Sequence, residues 1–271
     1  MLDPQATAII TVYNEAELIT RAIESLQQQS AENIEILIVD DGSDDGTPDV
    51  VDGIADPRVR LVRLPRSGRA KALARACQEA RGRYIANLDA DDIAYPDRLK
   101  EQIAFLERHP DHAWVGCAED RVDTQRNEVL SRRYPVLDQD VRRMAAKCIP
   151  YCHSGVTFRR SLLDEGINYD PWQPFLIDFE FFLRVAAKHK VANLEQPFVR
   201  RYARDESYFQ SRFGRGKQNR RLAWFCLRAI RELGLPARDV VYPLSRTIYP
   251  WFPNSMKRQI RRWQGLSEDH G

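Results

Sequence analysis

Residues 6–12 read Ala-Thr-Ala-Ile-Ile-Thr-Val, and residues 34–39 read Ile-Glu-Ile-Leu-Ile-Val. Both are short runs rich in β-branched residues and followed by polar residues, so each predicts a buried strand. Between them, the apolar residues of 18–26 recur at helical spacing, which predicts an amphipathic helix. Asn14 is its predicted cap, because Glu17 three residues later completes a capping-box pattern. Strand, helix and strand in this order predict a parallel β-α-β unit.

The same alternation continues along the chain. A third strand is expected over residues 59–64, a second helix over 70–80 and a fourth strand over 84–88. We therefore predict an α/β fold with a mostly parallel sheet flanked by helices on both faces. Beyond Pro110 the pattern loosens, and the further elements expected are strands at 113–117 and 155–158, a helix at 178–188, and helices from Arg200 onward.

Composition narrows the classes of protein. The chain has 271 residues, 43% of them hydrophobic and 30% charged, which is ordinary for a globular protein. No apolar run reaches the roughly 20 residues that span a bilayer, and the first residues lack the pattern of a secretory signal, so a cytoplasmic location is expected. Five cysteines without a repeated spacing indicate no disulfide framework.

Charge is distributed unevenly. Residues 200–271 hold 16 Lys or Arg and 6 Asp or Glu, whereas the formal charge of the whole chain is only +2. The basic residues of this segment alternate with aromatic ones. The segment is therefore the basic part of a chain whose remainder is acidic.

Two acidic clusters follow predicted strands. Asp40 and Asp41 end the second strand, and Asp89, Asp91 and Asp92 follow the fourth. Ligands of parallel sheets bind at the carboxyl ends of strands. Three carboxylates within four residues repel one another unless a cation offsets their charge, and Mg²⁺ or Mn²⁺ takes such oxygen ligands together with substrate phosphates.

Nearby acidic residues fit a plainer role, since Asp44 and Asp45 in a glycine-flanked loop are typical turn residues. The chain has neither a Walker-type loop nor a GxGxxG after its first strand, so phosphates would be held by a metal and by basic side chains. Lys71 and Arg69 could reach a phosphate, although a solvated helix face explains them equally well.

Five motifs in order resemble the family 2 glycosyltransferases, which have the GT-A fold, across roughly residues 5–205. They are Thr11-Val12-Tyr13-Asn14-Glu15, the stretch 38–47 (Ile-Val-Asp-Asp-Gly-Ser-Asp-Asp-Gly-Thr), 82–92 (Gly-Arg-Tyr-Ile-Ala-Asn-Leu-Asp-Ala-Asp-Asp), 153–160 (His-Ser-Gly-Val-Thr-Phe-Arg-Arg) and 178–184 (Asp-Phe-Glu-Phe-Phe-Leu-Arg). The resemblance implies a GT-A domain over 1–205 and a helical, basic and aromatic extension over 206–271.

The resemblance also implies roles for residues. Asp91 would bind Mn²⁺ or Mg²⁺, and Asp41 would accept a hydrogen bond from a uracil or thymine ring. His153 would line the acceptor side, or it is only a packed histidine. The other residues placed at the donor are Thr11, Tyr13, Asn14, Lys71, Asp89 and Asp92.

Asp178 would be the general base of an inverting transfer, because a carboxylate can take the proton of the attacking hydroxyl. A cap of the following helix is the competing interpretation. Many members of the family have Glu-Asp here, whereas this chain has Ile177 before Asp178. In the 68–76 stretch, Ala74 and Ala76 replace the Asn and Gly of the family, which puts donor contacts from that helix in doubt.

The resulting hypothesis is transfer of a sugar from a UDP- or dTDP-sugar to a hydroxyl of a glycan or lipid-linked glycan. A nucleotidyltransferase is disfavoured because residues 11–17 contain no Lys, Arg or Gly. An alternative is a non-catalytic module that binds nucleotide sugars or recruits the chain to a membrane. It stays open because Ile177 replaces the acidic residue that many family members have before the Asp. The basic segment is expected to pack on the sheet domain or to contact the inner membrane face peripherally, and no nucleic-acid partner is expected.

Overall fold

The predicted β-α-β unit opens the chain in the computed structural model, which describes residues 3–123, 128–202, 215–248, 255, 256 and 259. β1 (Ala6–Val12), α1 (Ile19–Gln27) and β2 (Ile34–Asp40) form it, and β1 and β2 pair in parallel from Ala6 opposite Ile34. Every residue of β2 is buried. This is the environment that a continuous apolar run predicts.

Parallel pairing extends on both sides of this unit. The next elements are α2 (Thr47–Asp52), β3 (Val59–Arg63), α3 (Arg69–Glu79) and β4 (Tyr84–Asn87). β3 pairs with β2, and β4 pairs with β1, so the strand order is β3-β2-β1-β4. The predicted elements of the first 90 residues are therefore confirmed.

The remaining strands make the sheet mixed. The elements are β5 (Ile93–Ala94), α4 (Arg98–Arg108), β6 (His112–Asp123), β7 (Glu128–Arg132), α5 (Asp138–Ala145), β8 (Thr157–Arg159), α6 (Ile177–Lys188) and β9 (Lys190–Tyr202). β8 lies antiparallel between β4 and β6, β9 runs parallel to β6, and β5 and β7 add antiparallel edges. The α/β class with flanking helices is confirmed, and the pairing is parallel from β3 to β4 and mixed beyond.

The start of α1 differs from the prediction. The helix begins at Ile19 with Leu18 as the preceding residue, and no side chain caps it. Asn14 instead has a left-handed backbone (φ 55°), and its side-chain amide donates to Asp44 at 2.7 Å. The expected capping box is therefore wrong, because Asn14 is used to hold the loop after β2.

Gly82 shows why the 82–92 motif begins with glycine. Its backbone N–H donates to the hydroxyl of Thr7 at 2.8 Å. A Cβ atom at this position would lie 2.4 Å from the carbonyl carbon of Ala6. A larger residue at position 82, just before β4, could not lie this close to the backbone of β1.

A cluster of aromatic rings fills the core on the α6 side of the sheet. Trp114 of β6 is fully buried, and its ring lies 5.9 Å from Phe158 and 5.7 Å from Phe182 between centroids. Tyr169 packs 4.3 Å from Phe181. This packing fixes α6, which begins at the candidate site, against the centre of the sheet.

The described residues form two compact units. One holds the sheet and its helices; the other holds residues 142–150 together with α7 (Arg215–Glu232) and α8 (Val241–Ile248). The predicted boundary at 205/206 stays a prediction. β9 runs to Tyr202, so the expectation of helix from Arg200 onward is wrong for residues 200–202. Within the ranges that the structure describes, no helix has the length and hydropathy of a membrane span.

Candidate active site

An acidic loop follows β4 at the carboxyl end of the parallel strands. Carboxylate oxygens of Asp89, Asp91 and Asp92 all lie within 4.8 Å of one another. The side chain of Arg21 on α1 donates to the backbone carbonyl of Asp91 at 2.6 Å and so holds the loop from below. The three side chains form an oxygen-rich group of the kind that hard divalent cations select.

Two arginines flank this loop. Arg69, the first residue of α3, donates to Asp89 at 2.6 Å, and Arg201 of β9 donates to Asp92 at 3.2 Å. Burial alone would raise the pKa of Asp89, but the charge and hydrogen bond of Arg69 together with the charges of His153 and Arg201 outweigh it and hold the pKa well below its usual range. Burial raises the pKa of Asp92 to about 7, and the charges of Asp89 and Asp91 add to this effect. At pH 7 Asp89 is therefore ionised, whereas Asp92 is partly protonated.

Glu119 anchors the second arginine. It is fully buried on β6 and accepts hydrogen bonds from Arg201 at 3.1 Å, Tyr134 at 2.8 Å and Arg121 at 3.0 Å. Burial opposes ionisation of Glu119, but the charges of Arg201 and Arg121 dominate and lower its pKa to about 2. Glu119 thus fixes the guanidinium group that reaches Asp92.

His153 lies between the acidic loop and α6. Its Nε2 is 2.9 Å from the Tyr169 hydroxyl, and its Nδ1 is 3.3 Å from the Asn87 side-chain amide and 3.9 Å from a carboxylate oxygen of Asp89. Burial lowers the pKa of His153, although the charges of Asp178 and Asp89 oppose this. A neutral imidazole at pH 7 follows, with ring nitrogens that accept or donate hydrogen bonds.

Asp178 occupies the first turn of α6. Leu176, the residue before the helix, has a left-handed backbone (φ 50°, ψ 42°), which is strained for a residue other than glycine and is typical of functional sites. No side chain caps this helix, so the interpretation of Asp178 as its N-cap is wrong. The Tyr151 hydroxyl donates to Asp178 at 3.5 Å, and burial, followed by the charge of Asp178, raises the pKa of Tyr151.

The predicted base-binding residues meet a different partner. Asp41 accepts from the backbone and hydroxyl of Ser67, each at 2.7 Å, from the N–H of Gly68 at 2.9 Å, and from Arg66. The Arg66 guanidinium also lies 3.4 Å from the ring centroid of Tyr13. Asp41 therefore organises the loop between β3 and α3.

Two other residues predicted at the donor are Thr11 and Lys71. Thr11 lies in β1 opposite Val39, and the ammonium group of Lys71 lies 4.5 Å from the ring centroid of Trp172. The turn role predicted for Asp44 and Asp45 is confirmed. Asp44 bonds Asn14 in both directions, and Asp45 accepts from the backbone of Ala16 and Thr47.

Sequence reasoning missed a buried pair beneath the site. Arg98 of α4 is fully buried and donates to the carbonyls of Asn87 at 2.7 Å and Val156 at 3.1 Å. Gln102, one turn later, donates to the carbonyl of Gly155 at 2.7 Å and accepts from Thr157 at 2.7 Å. The pair joins the strand before the acidic loop to the turn that carries His153. Its only sequence signal is a polar residue at a core-facing helical position.

Comparisons with known proteins identify the family. The family model described as "Glycosyl transferase family 2" matches residues 7–167, which is more than half of the chain. The chain belongs to this family.

Three similar curated proteins come from bacteria. The chain is 38% identical over 158 residues to the succinoglycan biosynthesis protein ExoO of Rhizobium meliloti, a match that covers 58% of this chain and 44% of that protein. It is 26% identical over 278 residues to the putative glycosyltransferase EpsE of Bacillus subtilis, covering 99% and 97% of the two chains. The amylovoran biosynthesis glycosyltransferase AmsE of Erwinia amylovora is 28% identical over 265 residues, with coverages of 91% and 94%.

Solved structures show the same fold. Residues 1–349 of S. aureus TarS in complex with UDP-GlcNAc match 98% of this chain and 77% of that one, with a TM-score of 0.70 and 20% identity. The mannosyltransferase PcManGT of Pyrobaculum calidifontis, in complex with GDP-Man and Mn²⁺, matches with a TM-score of 0.65 and 18% identity over 98% and 81% of the chains. The predicted GT-A glycosyltransferase fold is thereby confirmed.

The lowered pKa of Glu119 makes a prediction for this glycosyltransferase. Ionised Glu119 stabilises the folded state above its ordinary pKa of 4.5, and this contribution is lost as the pH falls towards 2. Replacing Glu119 by Gln is expected to lower the free energy of unfolding by roughly 3 kcal/mol at pH 7 and progressively less below pH 4.5. Urea denaturation between pH 7 and pH 3 measures the difference.

The matched control is Glu128→Gln on the neighbouring strand β7, where the side chain is exposed. We expect that variant to unfold within about 0.5 kcal/mol of the wild type at every pH. A Glu119→Gln deficit that stays constant from pH 7 to pH 3 would contradict the assigned ion pairs.

Proposed function

We propose that the chain is an inverting, metal-dependent glycosyltransferase that uses a UDP- or dTDP-sugar, with Asp91 as metal ligand and Asp178 as general base. One observation carries the proposal, which is the convergence of the acidic loop and Asp178 around Arg69 and His153. The charge of Asp89 is the main cause that raises the pKa of Arg69, and Asp178 and Asp91 contribute to the same rise. Sugar transfer needs a base for the attacking hydroxyl close to a site for the leaving diphosphate. Asp178 and the acidic loop would supply these two groups.

The acidic loop fits a divalent cation. Its three carboxylates are hard oxygen donors whose oxygens lie within 4.8 Å of one another, and a cation among them would favour the ionised form of Asp92. Bound Mn²⁺ or Mg²⁺ would offset the charge that builds up on the leaving diphosphate. The complex of the structural neighbour PcManGT with GDP-Man and Mn²⁺ supports this assignment.

The nucleobase would use the face of Tyr13. Arg66 covers that ring and also pairs with Asp41, so the base would take both positions from the guanidinium group. Arg66 can turn away because about half of its side chain is exposed, whereas the Asp41 carboxylate is buried. A pyrimidine N–H would then replace the Arg66 hydrogen bond at Asp41, and the complex of TarS with UDP-GlcNAc supports a uracil nucleotide.

Asp178 would take the proton of the attacking hydroxyl. The Tyr151 hydroxyl orients the carboxylate, and the raised pKa of Tyr151 keeps this donor protonated. His153 is neutral at pH 7 because burial lowers its pKa, so it can position a hydroxyl without competing for the proton. Attack on the face opposite the diphosphate would invert the anomeric carbon.

The acceptor class is a hydroxyl of a glycan or lipid-linked glycan. The relatives named for succinoglycan and amylovoran biosynthesis support a growing bacterial polysaccharide. The chain spans only 44% of the length of the first of these relatives. The acceptor assigned to this chain is therefore a proposal.

Replacing Asp178 by Asn tests the base. We expect release of UDP or dTDP from a panel of their sugars to fall at least 100-fold, because the proton acceptor is lost while the shape is kept. Affinity for UDP with Mn²⁺, measured by calorimetry, should change less than about threefold. Asp164→Asn, at an exposed carboxylate, is the matched control for both readouts.

Equal release by the wild type and Asp178→Asn would contradict the assignment of the base. Binding of nucleotide by the wild type without release from any donor would instead favour the non-catalytic module.

We also propose that the second unit contacts the inner membrane face peripherally. α7 buries Phe225, Cys226 and Ala229 on one side and exposes Trp224 (54%) and Leu227 (37%) on another. Arg228 lies 5.2 Å from the Trp224 ring centroid. Exposed apolar side chains beside arginines suit an anionic lipid surface. Other aromatic residues of this basic segment, at 208, 209, 213, 249, 251, 252 and 263, lie outside the described residues.

The double variant Trp224→Ala, Leu227→Ala tests this contact. We expect at least a threefold loss of cosedimentation with vesicles that contain phosphatidylglycerol, because apolar area leaves the interface. Wild-type binding should also weaken with added salt. Trp172→Ala in the first unit is the control. Unchanged cosedimentation of the double variant would overturn the proposal.

A further inference from the structure

A tryptophan stands in solvent beside the start of α3. The side chain of Trp172 is 78% exposed, more than that of Trp224. It is nevertheless held in place, because its backbone N–H donates to Asp170 at 2.9 Å and Lys71 contacts its ring. Because this large apolar ring is held in solvent, it is better explained as a binding surface than as part of the core.

Trp172 lies close to the reacting groups along two paths. Tyr169, three residues before Trp172, has its hydroxyl 2.9 Å from Nε2 of His153. Along the chain, Trp172 precedes Asp178 by six residues, with the strained Leu176 between them. The indole therefore stands at the margin of the proposed site, on the side of α3 and α6.

A groove of about 460 Å³ continues from this point between α3 and α6. Asp170 and Pro171, which directly precede Trp172, form its near end, and Gln78 lies at the far end of α3. From Lys71 to Gln78 the helix rises about 10 Å, roughly the length of two sugar rings.

The groove is braced from both walls. Asn168 donates from its side-chain amide to the carbonyl of Ala74 on α3 at 3.0 Å, and its own backbone carbonyl accepts from Arg184 on α6. Arg184 is also paired with Glu180 at 2.8 Å. The groove is therefore formed before any ligand arrives, which lowers the cost of binding.

The lining has the chemistry of sugar recognition. Amide and carboxylate side chains can donate to and accept from neighbouring hydroxyls, and an aromatic ring can pack against the apolar face of a pyranose. Among the lining residues Asp170 and Glu180 are acidic and Arg184 is basic, so the lining has a net negative charge, and Lys71 contacts the Trp172 ring outside it. Neutral sugar units are therefore favoured over uronic acids or phosphates. Gln78 and Asp170 offer such groups in the lining, whereas Asn168, Tyr169, Glu180 and Arg184 are hydrogen-bonded within the protein and shape its walls.

We propose that Trp172 and this groove form a subsite for neutral sugar units of the glycan acceptor, behind the unit whose hydroxyl is attacked. The inference rests on the proposed glycosyltransferase function, because only that function makes a glycan the acceptor. It assigns the acceptor a length of at least two or three units and a path along α3 and α6.

Fluorine NMR of protein labelled with 5-fluorotryptophan tests the subsite directly. The resonance lost in Trp172→Phe identifies Trp172. Neutral gluco- and galacto-oligosaccharides of one to six units, with β-1,3, β-1,4 or β-1,6 linkages, are the probes. We expect the Trp172 resonance to shift while that of Trp224 does not, with apparent affinity rising at least fivefold from one unit to three.

Two variants separate the groove from the ring. Trp172→Ala should weaken trisaccharide binding at least tenfold, measured by calorimetry. Gln78→Arg, at an exposed helical position, should fill the far end and remove the gain with chain length while leaving monosaccharide binding unchanged. A Trp172 resonance that no probe moves, or a length dependence that survives Gln78→Arg, overturns the proposal.

UDP binding with Mn²⁺ is measured on the same samples. Loss of the Trp172 shift with intact UDP binding would reject the subsite alone, whereas absence of UDP binding with an intact shift would reject the donor site and keep the subsite.

Discussion

The guanidinium group of Arg201 joins two buried carboxylates, Asp92 after β4 and Glu119 on β6. Burying charges together is costly unless each meets an opposite charge; Arg201 serves both carboxylates, and Arg121 is a second cation at Glu119. The two ion pairs of Arg201 fix the position of the acidic loop relative to β6 in the sheet. Burial raises the pKa of Asp92 in this arrangement, and a divalent cation beside it would favour its ionised form.

The mixed half of the sheet makes this interaction possible. β9 runs parallel to β6, and Arg200 and Arg201 stand opposite Asp120 and Arg121. β5, which directly follows the acidic loop, pairs antiparallel with β9 and places Ile93 opposite Arg200, so the end of β9 lies beside that loop. A purely parallel sheet would have required a crossover helix for each strand and could not place these ends together as simply.

The sequence patterns predicted the first half of this sheet well, because parallel buried strands are continuous apolar runs that end in acidic turns. They failed for α4, whose buried face includes Arg98 and Gln102 and therefore does not read as apolar. β6 was predicted only over 113–117, since its extension to Asp123 carries the charges that bind Arg201. Polar residues buried for positioning disrupt the periodicity on which such predictions depend.

The candidate site was predictable in its acidic residues and not in their supports. Asp89, Asp91 and Asp92 stand in one short motif, so their proximity follows from local sequence. Arg201 and Glu119 lie over 25 residues away from that motif and from each other, and only tertiary pairing brings them to it. Tyr13 and Asp41 could be named, but the guanidinium of Arg66 that now contacts both could not.

The most direct test is electron paramagnetic resonance of Mn²⁺ with UDP, on the wild type and on Asp91→Asn. The account predicts that UDP and the wild-type protein together remove the signal of free Mn²⁺, and that Asp91→Asn weakens this binding at least tenfold. Equal Mn²⁺ binding by both proteins, or UDP binding that is as tight in EDTA as in Mn²⁺, would contradict the central claim that the acidic loop is a metal–diphosphate site.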